Sequence, residues 1–216
     1  MKHIFNQLKI SLQIIFVVVV ILIAVIISKH SNLQAQEMLS KSLLEHKNNI
    51  TELAKISDRN ATNDTIAKII SDCPRRVDYD SYLMRLSSLT KPELITMQNL
   101  FESCSPFYVQ QKALVVLELE HEFNAYNQDV ELLKTLGAKA IYEKEVHSFK
   151  SILEIEKERS SLLAEQTDIQ GKIISLLISG KSSRNPEVVS FLSDAGAIAE
   201  QIAVLDHRAD DIRAKW

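Results

Sequence analysis

From Ile10 to Ser28 the chain carries no charged side chain, and from Ile14 to Ile27 it is apolar without interruption. A soluble amphipathic helix hides one stripe, so a segment apolar on every side asks for lipid all round. The 19 uncharged residues between Lys9 and Lys29, at about 1.5 Å each, span about 28 Å, the thickness of a bilayer's hydrocarbon core. The run is rich in valine and isoleucine, which weakens a helix in water. In lipid every backbone group must be paired within the segment, so a helix forms there regardless. A cleaved signal peptide would have a shorter apolar stretch followed closely by a small-x-small site. Here the nearest candidate, Leu33-Gln34-Ala35, lies well past the end of the run. The expectation is a short tail over residues 1–9 and an uncleaved transmembrane signal anchor over 10–28.

The pattern then changes to helical spacing. Leu39, Leu43, Ile50 and Leu53 recur at steps of three, four or seven, which predicts a stalk over 29–63 or one strand of a coiled coil. The polar run Asp58 to Asp64 breaks it, and Thr62 or Asp64 would cap a short helix over Ile66 to Asp72. Cys73-Pro74 ends that helix. Residues 64–105 read as an insert of short helices bounded by Cys73 and Cys104, with Tyr79, Tyr82, Leu83, Leu86 and Leu89 as its apolar group. Thr90-Lys91-Pro92-Glu93 has the form of a capping box with proline in the first turn. The helix it starts carries Leu94, Met97, Leu100 and Phe101 and is expected to stop at Cys104. Ser105-Pro106 then starts another.

Residues 106–216 read as a long helical hairpin. Val116, Leu119, Phe123, Tyr126, Val130 and Leu133 are spaced 3, 4, 3, 4, 3, a heptad seam. The seam resumes through Ile141, Ser148, Ile152, Ile155, Leu162, Ile169, Ile173 and Leu176. No N-cap follows Gly137, so a continuous or gently bent helix is expected through it rather than a sharp turn. Residues 180–186 are the clearest loop: Gly180 as a stop, a polar link, Asn185 as cap and Pro186 at the first helical position. The last helix carries Val188, Leu192, Ala195, Ile198 or Ala199, Ile202, Leu205, Ala209 and Ile212. A short loop between two long seams makes an antiparallel pair. The charged run Glu154 to Arg159 reads as a solvated flank. The fold class is therefore all-α: one N-terminal transmembrane helix followed by a helical bundle or antiparallel coiled-coil hairpin domain.

Composition narrows the function. Four glycines and four prolines in 216 residues are too few for an all-β domain, which needs turn residues every ~8–12 positions. Gly137, Gly171, Gly180 and Gly196 are too far apart for a phosphate-cradling loop. The formal net charge of −3 argues against nucleic acid, which calls for a concentrated basic face. The two cysteines, Cys73 and Cys104, fit one disulfide in an oxidising compartment. Lysines flank both ends of the apolar run, so the positive-inside rule is nearly balanced. The shortness of the tail favours a cytoplasmic N-terminus with residues 29–216 extracytoplasmic, in an inner or plasma membrane.

Chemistry is sparse. Glu118 and His121 have the Glu-x-x-His spacing of helical carboxylate metal bundles, but no second copy exists; near His147, Lys144 occupies the required position. Asp206, His207, Asp210 and Asp211 form an acidic face near the end of the chain, more simply solvated than metal-binding. Arg75 to Asp80 could be a docking loop. Asn49, Asn60 and Asn63 each begin an N-x-T sequon, which matters only in a glycosylating pathway; otherwise these residues cap and turn. Trp216 marks an interface or a helix terminus. No catalytic, cofactor-binding or metal residues are assigned, and no cofactor is expected. The layout resembles, in architecture alone, chemoreceptor ligand domains, divisome linkers and phage spanins, and that transfers no residue roles. The expected function is a non-enzymatic, membrane-anchored scaffold or assembly protein of the cell envelope. Its partners would be the lipid bilayer and a protein partner or second copy met through helical seams. The alternatives are a sensory, ligand-binding ectodomain working with another membrane subunit, and a phage-type envelope or lysis protein.

Overall fold

A computed structural model describes residues 2–57, 85, 88–137 and 142–216, without the side chains of residues 2–18, 56–57, 100, 103–104 and 106–108. Four long helices make up this part of the chain: α1 (Lys2–Ser57), α2 (Lys91–Thr135), α3 (Glu143–Ile178) and α4 (Pro186–Arg213). No strand occurs among the described residues, so the chain is all-helical as its pattern predicts. The short helix at 66–72, most of the insert, the Arg75–Asp80 loop, the sequons at Asn60 and Asn63, and the Cys73–Cys104 pairing lie outside the described residues.

Helix α1 has two environments on one uninterrupted backbone. From Val19 to Gln34 every side chain is exposed, although most are apolar. From Ala35 onward one face turns inward, and Leu43, Ile50 and Ala54 become buried. The stalk expected from the sequence is thus, over 35–57, a helix of the bundle. Helix α2 lies antiparallel to it, since Gln36 Nε2 donates to the Leu136 carbonyl and His46 meets Glu122. Helix α3 returns antiparallel to α2, as the pairing of Lys157 with Glu120 and of Tyr126 with Glu145 requires. Helix α4 then runs back along α3.

The core has two halves. Near α1, Leu43, Ile50 and Ala54 pack with Leu119, Tyr126, Val130 and Leu133 of α2, Phe149 and Ile152 of α3, and Leu205 and Ala209 of α4. Beyond the end of α1, Leu94 of α2 joins Ile169, Ile173 and Leu177 of α3 and Val188, Ile198 and Ile202 of α4. These residues are mostly the predicted seam positions.

Two residues act differently from what their local pattern predicts. Helix α2 does not stop at Cys104; it runs from Lys91 to Thr135 through Pro106. An interior proline removes one backbone hydrogen bond and costs about 3 kcal/mol, yet anchored seams flank it on both sides, with Leu94 and Met97 before it and Leu119 after it buried. Gly137 is the reverse case. It adopts φ +81° and donates its N–H to the Lys134 carbonyl, so α2 ends where a continuous helix was expected. That conformation is left-handed and nearly free for glycine alone. At Gly180, φ is +94°, and there the predicted stop holds.

Ser105-Pro106 starts no new helix, but the predicted starts at Thr90 and Asn185 form. The Glu93 carboxylate accepts the Thr90 backbone N–H and hydroxyl, each at 2.7 Å. Asn185 Oδ1 accepts the Glu187 N–H at 3.0 Å, with Pro186 in the first turn.

Candidate functional site at the anchor–bundle junction

A set of half-buried polar side chains lies along the buried stretch of α1. His46 Nδ1 lies 2.7 Å from Glu122 Oε2, and its Nε2 lies 4.0 Å from Asp129 Oδ2. Glu122 and Asp129 are seven residues apart, so both reach α1 from one face of α2. Asp129 Oδ2 is buried and accepts no hydrogen bond among the described residues. One residue further along α1, Lys47 Nζ donates to Glu145 Oε1 at 2.6 Å. The other carboxylate oxygen of Glu145 accepts the Tyr126 hydroxyl at 2.5 Å. Side chains 46 and 47 thus bind α1 to α2 and to α3 respectively.

Both ends of α1's buried stretch are tied through orphan carbonyls. A helix leaves its last four C=O groups without an internal partner. Arg213 Nη1 of α4 donates to one of these, the Ala54 carbonyl, at 3.1 Å. At the other end Gln36 donates to the Leu136 carbonyl, at the end of α2, at 2.8 Å.

Arg213 also belongs to an ionic cluster between α3 and α4. Arg159 Nη1 sits 3.1 and 3.2 Å from the two Glu156 oxygens, and Nη2 pairs with Asp206. Arg213 Nη1 lies 3.9 Å from Glu156, and its Nη2 is 2.8 Å from Asp210. Glu156 is 1% exposed and Arg159 6%, which corrects the solvated-flank reading of Glu154 to Arg159. Glu154, Lys157 and Glu158 do face water; the helical period turns Ile155, Glu156 and Arg159 inward. The acidic face near the chain end also divides. Asp206 and Asp210 pair with arginines, while His207 and Asp211 are exposed.

Burial pushes the Glu145 carboxyl up, but hydrogen bonds from Lys47 and Tyr126 and the lysine charge outweigh it and hold the group below its ordinary 4.5. Burial first, and the Glu145 carboxylate second, push the Tyr126 phenol above its ordinary 10, so it stays a donor. A carboxylate with a depressed folded-state value stabilises the fold above its unfolded value, and that contribution is lost as pH falls through the folded one. Unfolding stability of the full chain should therefore drop below about pH 4.5, and Glu145→Gln should flatten this acid limb relative to the native chain. Parallel denaturant titrations between pH 6 and 3 check it; coincident slopes would show that the carboxylate does not support the junction.

Glu118 and His121 are both exposed on α2, and His147 is exposed on α3. Among the described residues no group of three or more His, Cys, Asp or Glu side chains is arranged to hold a metal. Asn49 is a half-buried residue of α1. Trp216 packs edge-on against Phe149, with ring centroids 5.2 Å apart, and Phe149 packs likewise on Tyr126 at 5.1 Å.

No family model, curated protein or solved structure matches this chain.

Among the described residues, two helices are long and apolar enough to cross a membrane. In α4 part of the apolar stretch is buried in the bundle core; in α1, from Val19 onward, none of it is. This weakly favours membrane association, with α1 the better candidate. The sequence did not single out His46, Glu122, Asp129, Lys47 or Glu145. The one legible trace of the site is that His46 falls as a polar residue in the stripe of Leu39, Leu43, Ile50 and Leu53.

Proposed function

We propose that this chain is a single-pass, membrane-anchored helical scaffold or assembly protein of the cell envelope. In this reading residues 10–28 span the inner or plasma membrane, the N-terminus is cytoplasmic and residues 29–216 are extracytoplasmic. Cys73 and Cys104 then lie in an oxidising compartment as a disulfide, and the protein acts without enzymatic chemistry. One observation carries the reading. The exposed apolar half of α1 and its buried half are one helix, locked to all three other helices at the junction. Any force or displacement on the bundle reaches the bilayer without a flexible joint, which suits a part that holds an assembly in place.

Helix α4 supplies a surface for partners. Val189, Leu192 and Val204 are 49%, 40% and 59% exposed, and a second copy or another helical protein covering them would gain from removing that apolar area from water. A photo-crosslinking residue at Val204 of the full chain in membranes should give a discrete adduct of the chain with itself or with an envelope protein. A chain that stays monomeric and adduct-free would end the scaffold reading. Thiol labelling of intact cells, with and without reductant, tests sidedness and the disulfide together.

A ligand-responsive ectodomain is the second reading. It is favoured by a cavity at the junction, lined by α1, α3 and the end of the chain.

A further inference from the structure

That cavity has a volume of about 590 Å³, within the range of small-molecule sites. Its walls are chemically distinct. On one side stand Phe149 and Trp216, edge to face. Around them are Lys144 and Lys215, both exposed and neither paired with a carboxylate among the described residues. Thr51 contributes a hydroxyl from α1. Of the two glutamates in the wall, Glu145 is held by two donors and Glu143 is exposed to water. Glu145 takes donors from Lys47 and Tyr126, and Glu143 lies 3.8 Å from Lys134.

We propose that this cavity binds a small organic anion with a flat apolar body, such as an aromatic carboxylate. The body lies against the exposed Trp216 ring, which buried Phe149 backs, and the carboxylate takes hydrogen bonds from the Lys144 and Lys215 ammonium groups. Charge-assisted bonds of this type are roughly twice as strong as neutral ones, and an aromatic wall favours a planar body. Because Lys47 and Thr51 line the same cavity, an occupant would touch the helix that continues into the apolar segment. This goes beyond the scaffold reading, which needs no ligand and stands or falls on the adduct test alone.

Trp216 is the sole tryptophan and so reports the site directly. The full chain, in phosphatidylcholine vesicles that offer no competing anionic lipid, is titrated with benzoate, inorganic phosphate or benzyl alcohol while Trp216 emission is read. Benzoate should give a saturable change. Phosphate, which lacks the body, and benzyl alcohol, which lacks the charge, should each bind about tenfold or more weaker. The Lys144→Ala/Lys215→Ala double variant should weaken benzoate by about tenfold or more with an unchanged melting temperature, since both side chains are exposed. Saturation-transfer NMR on the same sample reads benzoate contact independently of the tryptophan. No saturable benzoate signal by either method, benzyl alcohol binding as tightly as benzoate, or undiminished affinity in the double variant would each overturn the proposal.

Discussion

Glu156→Ala should lower the melting temperature of the full-length protein by roughly 10 °C. The Glu156 side chain is 1% exposed and faces two guanidinium groups, those of Arg159 and Arg213. Removing one member of a buried ionic set strands the others in a poorly polar interior, and such losses run to about 3–5 kcal/mol. In a chain of this size each kcal/mol corresponds to about 2–4 °C. The cost comes from the stranded charge more than from the attraction lost. Glu156→Leu combined with Arg159→Leu, which removes both central charges and keeps apolar bulk, should therefore cost less than Glu156→Ala alone, even with Asp206 left at the cluster's edge. Asp206 is 26% exposed and can turn to water. Calorimetry of the three proteins in one detergent separates the outcomes. A Glu156→Ala shift under about 2 °C would mean that water already solvates the cluster.

The same cluster marks the boundary of what sequence reasoning reaches. Helical spacing identified the seams because a buried face must repeat every 3.6 residues. Leu119, Tyr126, Ile152, Ile202 and their neighbours are buried where the spacing puts them. Spacing does not register a charged residue on the inner face when its partner comes from a distant helix. Glu156 and Arg159 are three apart and could pair on a solvated surface; what draws them inside is Asp206 and Arg213, some fifty residues on. The junction escaped for the same reason. Lys47–Glu145 and His46–Glu122 join residues 98 and 76 positions apart, and no local pattern encodes such pairings. Gly137 and Pro106 failed differently. Each has a local preference that tertiary packing can honour or override, and packing on both sides of Pro106 carried the helix through.

A chain with Val19→Arg and Ile23→Arg should leave the carbonate-resistant membrane fraction while its bundle stays folded. The two positions are 45% and 51% exposed and lie in a stretch of α1 without protein neighbours. Each arginine near the centre of a span raises the cost of insertion by about 2.5–3.5 kcal/mol, so two together remove most of the gain from an apolar run of this length. Among the described residues nothing in the bundle touches either position, because α1 first meets the other helices near Ala35. Circular dichroism and the melting temperature of the released protein should therefore match those of the native chain in detergent, apart from fraying of the freed half of α1. If the double variant still resists carbonate extraction, the segment is not what holds the chain to lipid, and the bundle itself must do so through α4, the second helix apolar enough to enter a bilayer. If instead the released chain unfolds, the two halves of α1 are coupled in stability as well as in geometry. The junction contacts at Gln36, His46 and Lys47 would then depend on the bilayer holding the first half of the helix in register.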